Sequence, residues 1–205
     1  MSAAQPQSPT KDRLLQSATK LFSEKGFEGV SVRQICKDAD TSMNMIHHYF
    51  GSKEGLFDAI LASFTDKVFA TPLRVLDQDV QSKAEFVTRL EVFFEETLTA
   101  LIEQRHLVHM MARHTIAPTA MASLMGNLVS YLATCQAKGY IRAGIDPSMI
   151  SGFMMDRLAN QVLYAAQIKR DTQFDLINDP DYRARWTRSN LELILYGMVS
   201  PDLTA

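Results

Sequence analysis

Several side chains near residue 45 have the chemistry needed to bind a nucleic acid. The amide of Asn44 can pair bidentately with adenine, and a methionine side chain can contact a thymine methyl group. Phosphate oxygens could accept hydrogen bonds from four other side chains nearby: His47, His48, Tyr49 and Lys53. This combination is typical of a surface that reads a DNA groove. An ordinary helical hairpin in an enzyme is the alternative interpretation.

A second group of side chains could bind a metal. Glu103 and His106 have the Glu-x-x-His spacing of di-iron bundles, but that site needs two such motifs and two further glutamates, and only one motif is present. His106, His109 and His114 lie close in sequence without a cysteine or a clear carboxylate partner, which favours a surface cluster. A helical-bundle metal enzyme using these three histidines is the alternative function. The chain also has neither a glycine-rich phosphate loop nor a nucleophile elbow. We expect no cofactor and no metal.

Two short helices are predicted to position the first group. Ser31 and Gln34 have the spacing of a capping box, so a helix should begin after Ser31. After about three turn residues, Ser42 is expected to cap a second helix that runs through Tyr49 and turns Ile46 inward. Two helices joined in this way form a helix-turn-helix, whose second helix lies in the major groove. Backbone N–H groups at the two helix starts could bind phosphate.

Residues 13–61 resemble the DNA-binding domain of the TetR (tetracycline repressor) family without a gap. The matching residues are Leu14, Leu15, Ala18, Leu21, Phe22, Gly26, Phe27, Ser31, Val32, Ile35, Ala39, Ser42, Ile46, Tyr49, Phe50, Ser52, Lys53, Glu54 and Leu56. The resemblance implies a dimer with an N-terminal three-helix reader, a connecting fourth helix and a variable helical ligand domain. It further implies that Tyr49 and Lys53 contact phosphates and that residues 42–48 face bases. The expected DNA-binding residues are Ser31, Val32, Arg33, Thr41, Ser42, Met43, Asn44, Met45, His47, His48, Tyr49 and Lys53.

Three residues depart from the family pattern. Asp40 stands at the turn where the family usually has glycine, and aspartate tolerates the left-handed conformation better than most residues. His47 replaces a frequent tyrosine, and Met43 stands where lysine is common. Net charge is −2, with seven basic and six acidic residues in 1–55 against 14 and 17 in 56–205. Charge alone therefore does not indicate DNA binding.

The rest of the chain has helical periodicity and no convincing period-two alternation, which predicts an all-α fold of about nine helices. Helices are expected at about 83–104, 106–114, 119–138, 147–169 and 180–199. Asp146-Pro147 and Asp179-Pro180 are N-cap and N1 pairs that open the last two. We expect a disordered tail at 1–9, a helix-turn-helix domain at 10–55, and a ligand-binding and dimerisation domain at 56–205.

The last helix has apolar residues on two sides, and both must be buried. One side can pack on the chain's own core, whereas the other suggests a second copy. Pairing of helices 147–169 and 180–199 from two subunits would form a four-helix interface about a twofold axis. The expected interface residues are Leu158, Tyr182, Trp186, Leu193, Ile194 and Gly197. The alternative is that both sides belong to the core of one subunit.

The middle of the chain is rich in methionine, which adapts to varied apolar ligands. Methionines with a few polar neighbours are typical of a small-molecule pocket, although core filling is the alternative. The expected effector-binding residues are Phe93, His109, Met110, Arg113, Met125, Met154, Asn160 and Tyr164, with Phe94 and Phe153 as further lining. Arg113 could meet an anionic ligand or pair with Asp156.

These features predict a cytoplasmic, homodimeric repressor of double-stranded operator DNA that a small, largely apolar effector releases. The chain has no apolar run that could cross a bilayer and no secretory signal, so no membrane association is expected. Cys36 and Cys135 are expected to be reduced core residues. An efflux or metabolic gene is the expected target.

Overall fold

The computed structural model describes residues 9–77, 79–112 and 119–198. All regular secondary structure in these residues is α-helical, which confirms the all-α prediction. The described residues form ten helices rather than about nine. They are α1 (Pro9–Lys25), α2 (Val32–Asp38), α3 (Asn44–Phe50), α4 (Lys53–Leu76), α5 (Lys83–Glu103), α6 (Arg105–Ala112), α7 (Thr119–Ala137), α8 (Pro147–Leu163), α9 (Ala165–Thr172) and α10 (Pro180–Met198). The predicted tail lies outside the described residues except for Pro9, which starts α1.

Local sequence signals explain most helix ends. After α1, Gly26 adopts φ +73° and its N–H donates to the carbonyl oxygen of Phe22 at 2.9 Å, as expected for a glycine stop. Ser52 caps α4 by accepting from the N–H of Gly55 at 3.1 Å. Asp146 accepts from the N–H of Ser148 at 2.7 Å and starts α8. Ser52 and Asp146 each satisfy a backbone donor that the first helical turn leaves unpaired, whereas Gly26 satisfies a carbonyl of the last turn of α1.

The predicted helix over 147–169 is two helices. The break falls at Tyr164, which adopts φ −100° and ψ 10°, outside the helical region. Its N–H still donates to the carbonyl oxygen of Asn160 at 2.9 Å, and its own carbonyl accepts from Ile168 at 2.9 Å. Because hydrogen bonding continues through the bend, the sequence needs no proline or glycine there.

The long helix α4 joins the two ends of the molecule. It contacts α1 and α3 on the N-terminal side and α5, α6 and α7 on the other. Its buried residues Leu56, Phe57 and Phe64 belong to one apolar cluster that extends from α1 to α10. The expected domain boundary at residues 55 and 56 thus lies in the first turn of a helix that packs on both sides.

In the described residues, no helix combines the length and apolar character required to cross a membrane.

Candidate DNA-binding surface and effector cavity

The capping box at the start of α2 is present. The N–H of Gln34 donates to Ser31 Oγ at 3.3 Å, and the N–H of Ser31 donates to Gln34 Oε1 at 2.8 Å. Ile35 and Cys36 are buried on the inner face of α2. Reciprocal capping and one apolar face therefore hold this short helix against α1.

The turn between α2 and α3 depends on Asp40. Its φ is +49°, in the left-handed region where the family pattern has glycine. On either side the turn is closed by backbone bonds, from Ala39 N–H to Ile35 O and from Thr41 N–H to Cys36 O, both 2.9 Å. The expectation that aspartate preserves this turn is confirmed.

Ser42 is not the N-cap of α3, contrary to the sequence-based expectation. Met43 occupies that position with φ −61° and ψ −29° and has no side-chain cap hydrogen bond. The carbonyls of Ser42 and Met43 accept from the N–H groups of Met45 and Ile46 at 3.1 and 3.2 Å. Since Met43 is already helical, the turn closes through the backbone and needs no serine side chain.

The outward face of α3 consists of Asn44, His47 and His48, all exposed. They lie three and four residues apart, so they share one side of the helix. Ile46 is fully buried on the opposite side, and Met43 is 54% exposed at the N-terminal end. This arrangement exposes an amide and two imidazoles to a partner surface.

None of the twelve predicted DNA-binding residues is buried, but they divide into two sets. Seven are exposed: Ser31, Arg33, Ser42, Met43, Asn44, His47 and His48. Five are partly buried: Val32, Thr41, Met45, Tyr49 and Lys53. Val32, Met45 and Tyr49 pack against the core with part of their surface accessible, and their expected contacts with DNA stay predictions. Met45 is less accessible than Asn44 and His47 because it lies on the inner half of the helix.

Aromatic contacts fix the side chains next to this face. The ring of His48 stands edge-on to that of Tyr49 with centroids 4.9 Å apart. The Lys53 ammonium lies over the ring of Phe27, 4.1 Å from its centroid, and Phe27 in turn packs edge-on against Phe57. Lys53 is thereby held at the junction of α3 and α4 while its charge remains partly exposed.

A small apolar cavity of about 250 Å³ lies between α4, α5, α6 and α8. It is lined by Phe64, Phe69, Leu101, Val108, Met111, Ala112, Met155, Ala159, Asn160 and Leu163. Asn160 supplies the polar side chain in this lining. A site of this composition suits a largely apolar molecule with one hydrogen-bonding group.

The predicted effector residues are mostly elsewhere. Only Asn160 lines the cavity. Phe93, Met110 and Met154 are buried in the core, while His109 and Tyr164 are exposed. Met125 is partly buried against the core, and Arg113 lies outside the described residues. The prediction chose neighbouring helix positions, because an apolar helix face alone does not distinguish a core residue from a cavity wall; Met155 and Met111 are the methionines that line the space.

Three of the six predicted interface residues also need correction. Leu158, Trp186 and Ile194 are buried within the chain itself. Trp186 stacks on Phe94 with centroids 6.0 Å apart, and the Arg157 guanidinium lies 5.1 Å from the Trp186 ring. Tyr182 is partly buried, whereas Leu193 and Gly197 are exposed. The core of one subunit thus uses the face of α10 that the sequence assigned to a partner.

Sequence reasoning did not identify all of the exposed apolar residues of α8 and α10. Met149 is 74% and Phe153 55% exposed on α8, and Leu193 is 75% and Tyr196 86% exposed on α10. Phe153 was expected inside the pocket. The four-residue spacing of Met149 and Phe153 on one side of α8 was the available signal. We call these four residues the α8–α10 apolar patch.

The histidine group offers no metal site in the part of the chain that the structure describes. His106 and His109 are exposed, and no set of three His, Cys, Asp or Glu side chains there could hold an ion. His114 lies outside the described residues. Burial and the neighbouring Arg105 lower the pKa of His106, which favours its neutral form.

The sequence and the fold of this chain are similar to those of known proteins. The family model described as bacterial regulatory proteins of the tetR family matches residues 14–60. The HTH-type transcriptional repressor NicS of Pseudomonas putida is 32% identical over 149 residues, which cover 69% of this chain and 70% of NicS. The probable HTH-type transcriptional regulator YttP of Bacillus subtilis is 31% identical over 117 residues, 57% of this chain and only 56% of YttP. Among solved structures, the transcriptional regulator FadR of Bacillus subtilis in complex with stearoyl-CoA matches with a TM-score of 0.66 and 18% identity, over 91% of this chain and 98% of that one.

Proposed function

Because the chain belongs to the TetR family of bacterial regulatory proteins and is a transcriptional regulator rather than an enzyme, we propose that it is a dimeric repressor that a small apolar effector releases from operator DNA. The observation that carries this proposal is the exposed polar face of α3, formed by Asn44, His47 and His48 inside the segment that the family model matches. The name of the repressor NicS, which is 32% identical over 149 residues, supports repression.

In the proposed complex, α3 enters the major groove and Asn44 reads a base. A bidentate pair between an amide and adenine contributes about 1–3 kcal/mol of discrimination against the wrong base. Lys53 and Tyr49 contact phosphates at the α3–α4 junction, which fixes the register of the helix without reading sequence. The position of Lys53 over Phe27 supports this role, because it restricts where the charge can be.

We propose that the α8–α10 apolar patch forms the dimer interface. Four large apolar side chains that are 55–86% exposed are an unfavourable surface for a monomer. Arg157 on α8 donates to Asn190 on α10 at 2.6 Å, which connects the two helices that carry the patch. A twofold axis through this patch would bury the four side chains twice and set the spacing of the two α3 helices.

We propose that the effector occupies the cavity between α4, α5, α6 and α8. Its lining suits an apolar molecule with one hydrogen-bonding group near Asn160. Fatty-acyl compounds are the first class to test, since the structural relative FadR was solved with stearoyl-CoA.

The cavity is connected to the DNA-binding surface through its own walls. Phe64 and Phe69 belong to α4, which packs on α3, and Val108 and Met111 belong to α6, which packs on α1. An effector that fits a wider cavity would favour an arrangement in which α4 and α6 move apart and the two α3 helices no longer match the operator. The change in operator affinity equals the effector's preference for that arrangement, about 1–3 kcal/mol in typical cases.

A titration tests the proposal. The purified protein is mixed with a labelled duplex from upstream of its own gene, and binding is measured by fluorescence anisotropy with and without candidate acyl compounds. We expect salt-sensitive binding, which a compound that binds the cavity reverses. If every compound shown to bind the protein leaves operator affinity unchanged, the proposed switch is wrong.

A further inference from the structure

The imidazole of His47 is held by the end of its own helix. Its Nδ1 lies 2.7 Å from the carbonyl oxygen of Gly51. A carbonyl oxygen only accepts, so Nδ1 carries a hydrogen and donates it. Gly51 adopts φ +76° there, and its N–H donates to the carbonyl of His47 at 3.1 Å. The two residues therefore bind each other twice, and the ring orientation is set before any partner arrives.

This contact determines what the ring can offer to DNA. With Nδ1 engaged, Nε2 is the ring nitrogen that remains for a partner of the exposed face. In the neutral ring Nε2 is an acceptor, and phosphate oxygens, guanine N7 and guanine O6 are acceptors as well. Only the protonated ring can donate from Nε2 to these atoms.

We propose that His47 binds operator DNA as an imidazolium, so that each subunit takes up a proton on binding and operator affinity rises as the pH falls. This inference rests on the proposed function, because it requires that α3 faces DNA. It concerns a position where this chain differs from the usual family residue: a tyrosine there would not change charge near neutral pH.

The charged groups around α3 do not supply a counter-charge for this proton. The helices α1 and α4 pack against α3. The titratable side chains of α3 besides His47, of the preceding turn, of the C-terminal half of α1 and of the first turns of α4 are Lys20, Glu24, Lys25, Asp40, His48, Tyr49, Lys53, Glu54 and Asp58. Lys20 pairs with Asp38 of α2 at 3.2 Å. A backbone N–H and Ser52 hold the Glu54 carboxylate and lower its pKa. Among the described residues, no ion pair involves His47, so the phosphates of bound DNA are the charge that would retain the proton.

The test measures operator affinity by anisotropy between pH 6.0 and 8.0 at constant ionic strength. For the wild-type protein we expect the dissociation constant to rise at least about tenfold over this range, with a limit of two protons per dimer. His47→Gln keeps an amide donor at every pH, so the dissociation constant of this variant should change by less than about threefold between pH 6.0 and 8.0. His109→Gln on α6 should retain the wild-type pH dependence.

Salt dependence gives a second readout. Two additional phosphate contacts per dimer at pH 6.0 would steepen the plot of log affinity against log salt by about two relative to pH 8.0, and His47→Gln would remove this difference. Affinity of the wild-type protein that is independent of pH, or a pH dependence that His47→Gln leaves intact, would overturn the inference while leaving DNA binding in place. Failure to bind DNA at every pH would instead refute the proposed function and the inference with it.

Discussion

Replacing Leu193 by alanine should dissociate the dimer without unfolding the subunit. Leu193 lies on α10 and is 75% exposed in the single chain, so its removal leaves no cavity in the subunit core. The matched control is Val92→Ala on α5, an exposed apolar residue outside the α8–α10 apolar patch that is 38% accessible. Both variants truncate an exposed aliphatic side chain to alanine, at different places on the surface.

The expected effect follows from the exposed fraction. Full burial of a leucine side chain contributes about 1.5–3 kcal/mol, so burial of the exposed three quarters contributes about 1–2 kcal/mol per copy. A twofold interface contains two copies, which gives about 2–4 kcal/mol per dimer. Since about 1.4 kcal/mol corresponds to a factor of ten, the dimer dissociation constant should rise about 30- to 1,000-fold.

Sedimentation velocity over a concentration series measures this constant, and circular dichroism verifies that the variants remain helical. Val92→Ala should behave as the wild type. A dissociation constant for Leu193→Ala within about threefold of the wild type would refute the placement of the interface on the α8–α10 apolar patch, since it would lie below the smallest value that the burial argument allows.

Four further predictions address DNA binding, the effector, the core and pH. Lys53→Ala should weaken binding to all duplexes alike and lower the salt slope by about two per dimer, measured by anisotropy; an effect confined to one sequence would contradict a phosphate contact. Ala159→Leu should fill part of the cavity and abolish the effector response while operator affinity persists, and a retained response in the same titration would place the effector elsewhere. Phe93→Ala should destabilise the protein by about 3–5 kcal/mol in urea unfolding, because Phe93 is fully buried, whereas a loss below about 1 kcal/mol would contradict that packing. Asp175→Asn should lower the melting temperature at pH 7 but not in acid. Hydrogen bonds from Lys169 and Asn178 depress the pKa of Asp175, so its charge stabilises the fold above the ordinary aspartate pKa, and this stabilisation is lost as the pH falls through the depressed value. A difference in melting temperature that is independent of pH would contradict this origin.

Most helices and most caps, Ser42 excepted, could be predicted from the sequence because their causes are local. The Ser31–Gln34 capping box, the Gly26 stop and the Asp146 cap each depend on residues within four positions of one another. The left-handed turn at Asp40 was predictable for the same reason. The exposed face of α3 followed from helical spacing once Ile46 was assigned to the inside.

The cavity and the interface could not be predicted in the same way, because they depend on how distant helices pack. Helical spacing shows that Trp186 and Ile194 share an apolar face, but not that this face meets α5 of the same chain. Likewise Met154 and Met155 are consecutive in sequence, and only the orientation of α8 about its own axis places Met155 at the cavity and Met154 in the core. The bend at Tyr164 has no local sequence signal either.

The central claim is that the outward face of α3 reads DNA, and selection of binding sites from a random pool of duplexes tests it most directly. For the wild-type protein we predict an enriched near-palindrome whose half-sites are separated by about one helical turn or a multiple of it. For Asn44→Ala the same selection should return the same half-site spacing with one symmetrical pair of positions no longer specified. An enriched motif identical for both proteins, or no enrichment for the wild type, would contradict the claim.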